Sequence, residues 1–158
     1  MPDTTKPIQN FYDPDGAVCY GCGYNNDKGL HIKTYWDGEV GRATFTPRPE
    51  HTGYPDYVYG GLIASLIDCH AIGTATAAMY DAAGRDYGSS PQIATVTGNL
   101  NVSYKKPTPI NATLKMEARI KELTERKAVV TIDFYADDVL TCVGEVIAVR
   151  AKIDAMTR

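Results

Sequence analysis

The chain of 158 residues tells as much by what it lacks as by what it holds. It has no surplus of positive charge: 16 Lys and Arg stand against 19 Asp and Glu, for a net charge of -3 and a pI near 5.6. Proteins that neutralise phosphates carry the opposite balance, so neither nucleic acid nor an acidic membrane is expected as a partner. The opening MPDTTKPIQN has no apolar segment, so no secretory leader is expected, and the expected location is cytoplasmic. There is no internal repeat, low-complexity tract or domain boundary, and this length fits a single domain. Residues 1–29 are expected as a leading arm and residues 30–158 as the main body. Cysteine is sparse, at four residues, of which only Cys19 and Cys22 are close in sequence. A lone C-x-x-C can be half of a zinc site or a redox pair. For zinc, His31, His51 and His70 supply no recognisable second half. For redox chemistry the motif wants a strand before it and a helix after it, and here DPDG precedes and NNDKG follows. Cys69 and Cys142 read as small core residues. The expectation is no metal and no separate cofactor.

What the chain does have is one long apolar stretch, residues 59–80, YGGLIASLIDCHAIGTATAAMY. Helical spacing sets Leu62, Ile63, Leu66 and Ile67 in a broad apolar band and Gly61, Ala64, Ser65, Asp68, Ile72 and Ala75 on the opposite stripe. The run is nearly long enough to cross a bilayer, but Asp68, His70 and its Gly and Thr breaks point to a buried core helix and no membrane. Asp68 is then the anomaly. An unpaired buried carboxylate is costly, and no Lys or Arg lies between Tyr59 and Asp81 to offset it. Either Asp68 pairs with a distant arginine or backbone amides, or it faces a cleft and does chemistry; the second reading is preferred. His70 lies roughly 200° round the helix from Asp68 and is expected to be a satisfied core histidine.

Before this helix, residues 1–29 show little periodicity, with a short helix or turn near residues 10–12 and a tight turn at 19–25. Residues 30–36 (LHIKTYW) and 39–47 (EVGRATFTP) read as strands joined at Asp37-Gly38. After it, residues 81–90 read as a polar, flexible loop, followed by strands at 94–104, 112–120, 128–135 and 139–152. The first of these alternates: Ala94, Val96, Gly98, Leu100, Val102 and Tyr104 on one face, Thr95, Thr97, Asn99, Asn101 and Ser103 on the other. The second face is polar yet uncharged, which suits a groove or a subunit seam. Two strands, one helix, then four strands with hairpin links, and no second helix for parallel crossovers, make an α+β fold. A curved antiparallel β-sheet wrapped around one long central helix is the hotdog arrangement.

Four stretches resemble the PaaI-like branch of the hotdog-fold acyl-CoA thioesterases. They are CYGCGYNNDKGLHI, residues 50–61 with the following LIASLID, TVTGNLNVSYKKPTPI, and VGEVIAVRAK; together they cover about residues 17–152. The resemblance implies hydrolysis of a coenzyme A thioester to free acid and CoA, with CoA entering only as part of the substrate. It implies that Asp68 is the catalytic carboxylate, that the Gly60 N–H polarises the thioester carbonyl, and that Thr97 helps hold the attacking water. It further implies a dimer seam, with Gly60 of one subunit facing Asp68 of the other, in a homodimer or a tetramer. One position departs: Tyr59 stands where the family usually has histidine.

The chemistry fits these residue types. A carboxylate in a partly dry cleft is a better base, and Asp68 could take a proton from water or attack the carbonyl itself. Free N–H groups at a helix start favour a developing oxyanion, and Gly60 and Gly61 leave room for the thioester. Tyr59, Gly61, His51 and Asn99 are the further candidates for substrate binding, with Lys105 and Lys106 for the coenzyme A phosphates. Each has a plainer reading: Thr97 as a strand former, His51 and the lysine pair as solvated loop residues. A hotdog protein that binds acyl-CoA without hydrolysing it is the main alternative. A dehydratase would need a His/Asp or His/Glu pair that the helix region lacks, and a module held by zinc at Cys19 and Cys22 is the third.

Overall fold

The computed structural model describes residues 3–152. A short hairpin, β1 (Tyr35–Trp36) and β2 (Val40–Phe45), precedes the single long helix α1 (Gly60–Ala82). Four strands follow: β3 (Thr95–Tyr104), β4 (Leu114–Leu123), β5 (Lys127–Ala136) and β6 (Val139–Arg150). All pairings are antiparallel, and the spatial order is β1-β2-β4-β5-β6-β3. Chain-adjacent β2 and β3 therefore lie toward opposite margins of the sheet, and α1 carries the chain between them across its inner face. This is the α+β hotdog arrangement expected from the sequence.

Packing follows the two periodicities. Leu62, Ile63, Leu66 and Ile67 are at most 2% exposed, while Gly61 is open and Ala64, Ser65, Asp68 and Ile72 are half-buried. From Gly73 to Tyr80 every residue is buried, so Ala75, expected on the open stripe, is inside. The sheet answers with alternate residues such as Leu114, Met116, Ile132, Phe134 and Val146, each worth roughly 1.5–3 kcal/mol on burial. Gly144 on β6 lets the helix approach: a Cβ there would stand 2.7 Å from Ile67 Cγ2. By length and apolarity α1 could cross a bilayer, yet 72% of its most apolar window is buried inside the fold.

Four expectations need correction. Strand pairing covers only Tyr35 and Trp36 of the expected 30–36, because Leu30 and Ile32 donate instead to the carbonyls of Tyr20 and Gly21 in the arm. The arm carries the expected short helix, a 3-10 turn at Ile8–Phe11, but packs into the core and does not merely precede it, burying Ile8, Ala17 and Cys22. The 81–90 segment is anchored at the carboxyl end of α1, where the Tyr87 ring packs edge-on against Tyr80 and Phe11. Arg85 Nη2 also donates to the Ser89 carbonyl there.

The fourth correction concerns β3. Thr97 pairs with Ala148, but Asn99 pairs with Ile147, so Gly98 is an extra residue that forms a bulge. Beyond it the parity flips. Leu100 and Val102 lie opposite Val146 and Gly144, in the same inward-facing set as Ala148 opposite Thr97. The expected uncharged row is thus split: Thr95 and Thr97 face the helix, whereas Asn99, Asn101 and Ser103 face away. Of the expected main body, residues 153–158 lie outside the described part.

Candidate active site

On the open stripe of α1, the Asp68 carboxylate is half-buried. Thr97 Oγ1, aimed inward by its place before the bulge, donates to Asp68 Oδ1 at 2.5 Å. Burial pushes the Asp68 carboxyl above its ordinary range; the Thr97 bond opposes this, and the nearby Cys19 sulfur adds to it. None of the ion pairs found among the described residues involves Asp68. The carboxylate is positioned, partly dry and open on one side, as a base needs to be.

Two turns away, the helix begins at Gly60, after Tyr59 in extended conformation. The first N–H groups of a helix have no carbonyl one turn earlier to bond and carry the positive end of its dipole. Tyr104, on the inward side of β3 past the bulge, donates its hydroxyl to the Gly60 carbonyl at 2.7 Å. A Cβ at Gly60 would lie 3.2 Å from that hydroxyl oxygen, and one at Gly61 only 2.5 Å from the Tyr59 ring. The glycine pair therefore lets two tyrosines close over the helix start.

Comparison with known proteins meets this geometry. The model of the thioesterase superfamily matches residues 56–143, from just before Gly60 to β6. The chain belongs to the thioesterase superfamily. A thioesterase superfamily protein from Shewanella loihica PV-4 is 42% identical, covering 80% of this chain and 99% of that one, with a TM-score of 0.63. The PaaI protein of the phenylacetic acid degradation operon in E. coli shares the fold at 17% identity, with a TM-score of 0.65 over 82% of this chain and 88% of that one. The acyl-coenzyme A thioesterase THEM4 of Mus musculus is 29% identical over 102 residues, 65% of this chain. This superfamily member spans only 38% of that mouse protein.

The remaining candidates of this thioesterase-superfamily chain fall elsewhere. His51, expected either to line the site or to be solvated, is 4% exposed. Its Nδ1 accepts the Arg48 N–H at 2.9 Å, its ring packs near Phe45, and its carbonyl accepts the Tyr59 N–H at 3.0 Å. It fixes the entry to α1 and offers no side-chain surface to a ligand. Asn99 is turned to the opposite face of the sheet from Asp68 by the bulge. Lys105 and Lys106 are exposed just past Tyr104, and both their N–H groups donate to the Thr141 carbonyl, so they stand at the helix-start end of the sheet. Tyr59 is exposed above Gly61. A cavity of about 610 Å³ lined by Trp36, Asp81, Arg119 and Leu123 lies at the far end of α1 and touches none of these residues.

Two contacts at the site go beyond what the sequence pattern shows. Alternation puts Tyr104 on a strand face with no partner, and its bond to the Gly60 carbonyl depends on the inward turn of that face past Gly98 in TVTGNLNVSY. Cys69, read as a core residue, brings its sulfur to Cys19 and Cys22, and the three Sγ atoms lie within 4.8 Å of one another. Hydrogen bonds from the Cys22 and Cys69 thiols hold the Cys19 thiol well below its ordinary range.

Proposed function

We propose that this chain hydrolyses acyl-CoA thioesters in a site completed by a second copy of itself. The observation that carries the reading is Asp68 held by Thr97 on the open stripe of the helix whose amino terminus is Gly60. Eight residues of helix put that amide and that carboxylate about 12 Å apart along the axis, too far to serve one carbonyl within one chain. A second chain running the other way would set its Gly60 against this Asp68. β3 offers the surface: it is the sheet edge, ten residues long and without a formal charge, with Val96 and Leu100 exposed. Long uncharged edges of this kind pair readily.

In this reading the thioester oxygen accepts the Gly60 N–H of one chain. Water held beside the Asp68–Thr97 pair of the other, on the free Asp68 oxygen, attacks the carbonyl carbon and gives a proton to Asp68. The tetrahedral intermediate collapses by breaking the carbon–sulfur bond; the coenzyme A thiolate leaves and takes up that proton, and the acid is released. The named acyl-CoA thioesterase relatives support acyl-CoA as the substrate class, and the exposed Lys105 and Lys106 at the helix-start end suit its phosphates. The test is CoA release from aromatic, short-chain and long-chain acyl-CoAs by wild type and Asp68→Asn. Turnover by the wild type, lost in the variant, supports hydrolysis. Binding without turnover in both would replace it with an acyl-CoA-binding role, and a stable monomer in light scattering would remove the shared site.

A further inference from the structure

We propose that Cys19, Cys22 and Cys69 form a zinc site that clips the amino-terminal arm to the central helix beside Asp68. The sulfurs come from two places far apart in sequence, the loop after Ala17 and the middle of α1, yet their Sγ atoms cluster within 4.8 Å. Cys19 and Cys69 are 3.8 Å apart. A tetrahedral zinc ion with sulfur at about 2.3 Å sets its ligands about 3.8 Å from one another, whereas a disulfide needs about 2.05 Å. All three cysteines are free. The Cys19–Cys69 separation is that of two ligands around an ion, and the Cys22 sulfur, within 4.8 Å of both, is near enough to close on the same ion.

The loop is shaped to bring them there. A Cβ on Gly21 would lie 2.3 Å from Cys69 Sγ, and one on Gly23 would lie 2.4 Å from the Cys19 nitrogen. Both glycines of CYGCG are thus required for the turn to pass over the helix sulfur. The Gly23 N–H closes the turn on the Cys19 carbonyl at 2.8 Å, and Leu30 and Ile32 tie it to the following segment.

Three sulfur donors select zinc or another thiophilic ion over magnesium or calcium. Cys22 and Cys69 are largely buried while Cys19 is exposed, so the ion would sit at the protein margin. Its fourth position would open to water on the side of Cys19. Each thiol still protonated releases its proton on binding. The site does not depend on the proposed hydrolysis: an inactive chain could hold zinc, and an active one could lack it.

The full chain, purified in reductant, is titrated with zinc and then with cobalt(II) as a spectroscopic substitute. The expected result is one equivalent per chain, proton release, and a cobalt spectrum with tetrahedral d–d bands and an intense sulfur-to-metal charge-transfer band. Cys69→Ser should lower that band by about a third and weaken binding at least tenfold. Because Cys69 is packed in the fold, the exposed Cys19→Ser serves as a second variant with the same expectation, and Cys142→Ser should change nothing. Absence of stoichiometric uptake by the reduced wild type would overturn the proposal. So would uptake that survives in both Cys19→Ser and Cys69→Ser.

Discussion

Asp68 and His70 stand two positions apart on α1 and face opposite ways. His70 is fully buried, and both ring nitrogens are satisfied: Nδ1 bonds Thr34 Oγ1 at 2.9 Å and Nε2 bonds the Gly41 carbonyl at 3.0 Å. Asp68 is half-exposed and has one partner, Thr97. One polar side chain has its bonding capacity used inside the fold; the other is left with capacity to spare on a face that solvent or a ligand can reach. The same helix therefore separates a polar group that holds the structure from one that is free to react, and the two should respond to mutation in opposite ways.

The largest contrast is expected from Asp68→Asn: turnover on acyl-CoA falls about 10²–10⁴-fold, the usual weight of a positioned base, with a thermal midpoint no lower than wild type. A midpoint that drops with activity would place Asp68 among the structural residues. His70→Ala should do the reverse. It leaves a cavity and orphans the Thr34 and Gly41 partners, costing about 2–4 kcal/mol in urea unfolding, while the folded fraction keeps turnover within a few-fold. The two groups should also oppose each other in pH. Burial pushes the His70 imidazole down to about 4 from its ordinary 6.5. The unfolded chain therefore binds more protons between those values, and stability present above 6.5 is lost as pH falls toward 4, by at most about 1.4 kcal/mol per pH unit. Asp68, raised by burial, binds its proton more readily folded than unfolded and so opposes this decline. Urea midpoints across that window should flatten in His70→Gln and steepen in Asp68→Asn. The smallest effect is expected from Thr97→Val, which removes one hydrogen bond to a carboxylate and should cost roughly tenfold in turnover.

Much of this was legible in the sequence because it depends on periodicity. The helix, the number of strands and the open stripe bearing Asp68 follow from spacings of 3.6 and 2 alone, and His70 could be assigned to the interior by its angle from Asp68. What was not legible depends on single residues that break a period or on contacts between distant segments. Gly98 turns Thr97 toward Asp68 and Asn99 away from it, although their alternation puts them on one face. His51 looks like a loop residue until its ring is seen to bond the Arg48 amide. The arm lacks periodicity because it is held by backbone bonds such as Leu30 to Tyr20, which leave no pattern in side-chain type. Cys69 could be joined to Cys19 and Cys22 only by knowing that the arm lies on the helix.

The passage of α1 across the sheet between β2 and β3 also bears on how the molecule is made. Val40 pairs with Arg119, half the chain away, and β3 must find β6, the last of the described strands in chain order. Loop closure over such separations slows folding, so as the chain emerges from the ribosome the apolar helix precedes nearly all the sheet that shelters it. Until β4 to β6 have emerged, α1 is a long greasy segment without a home, and nascent chains should lean on chaperones at that stage.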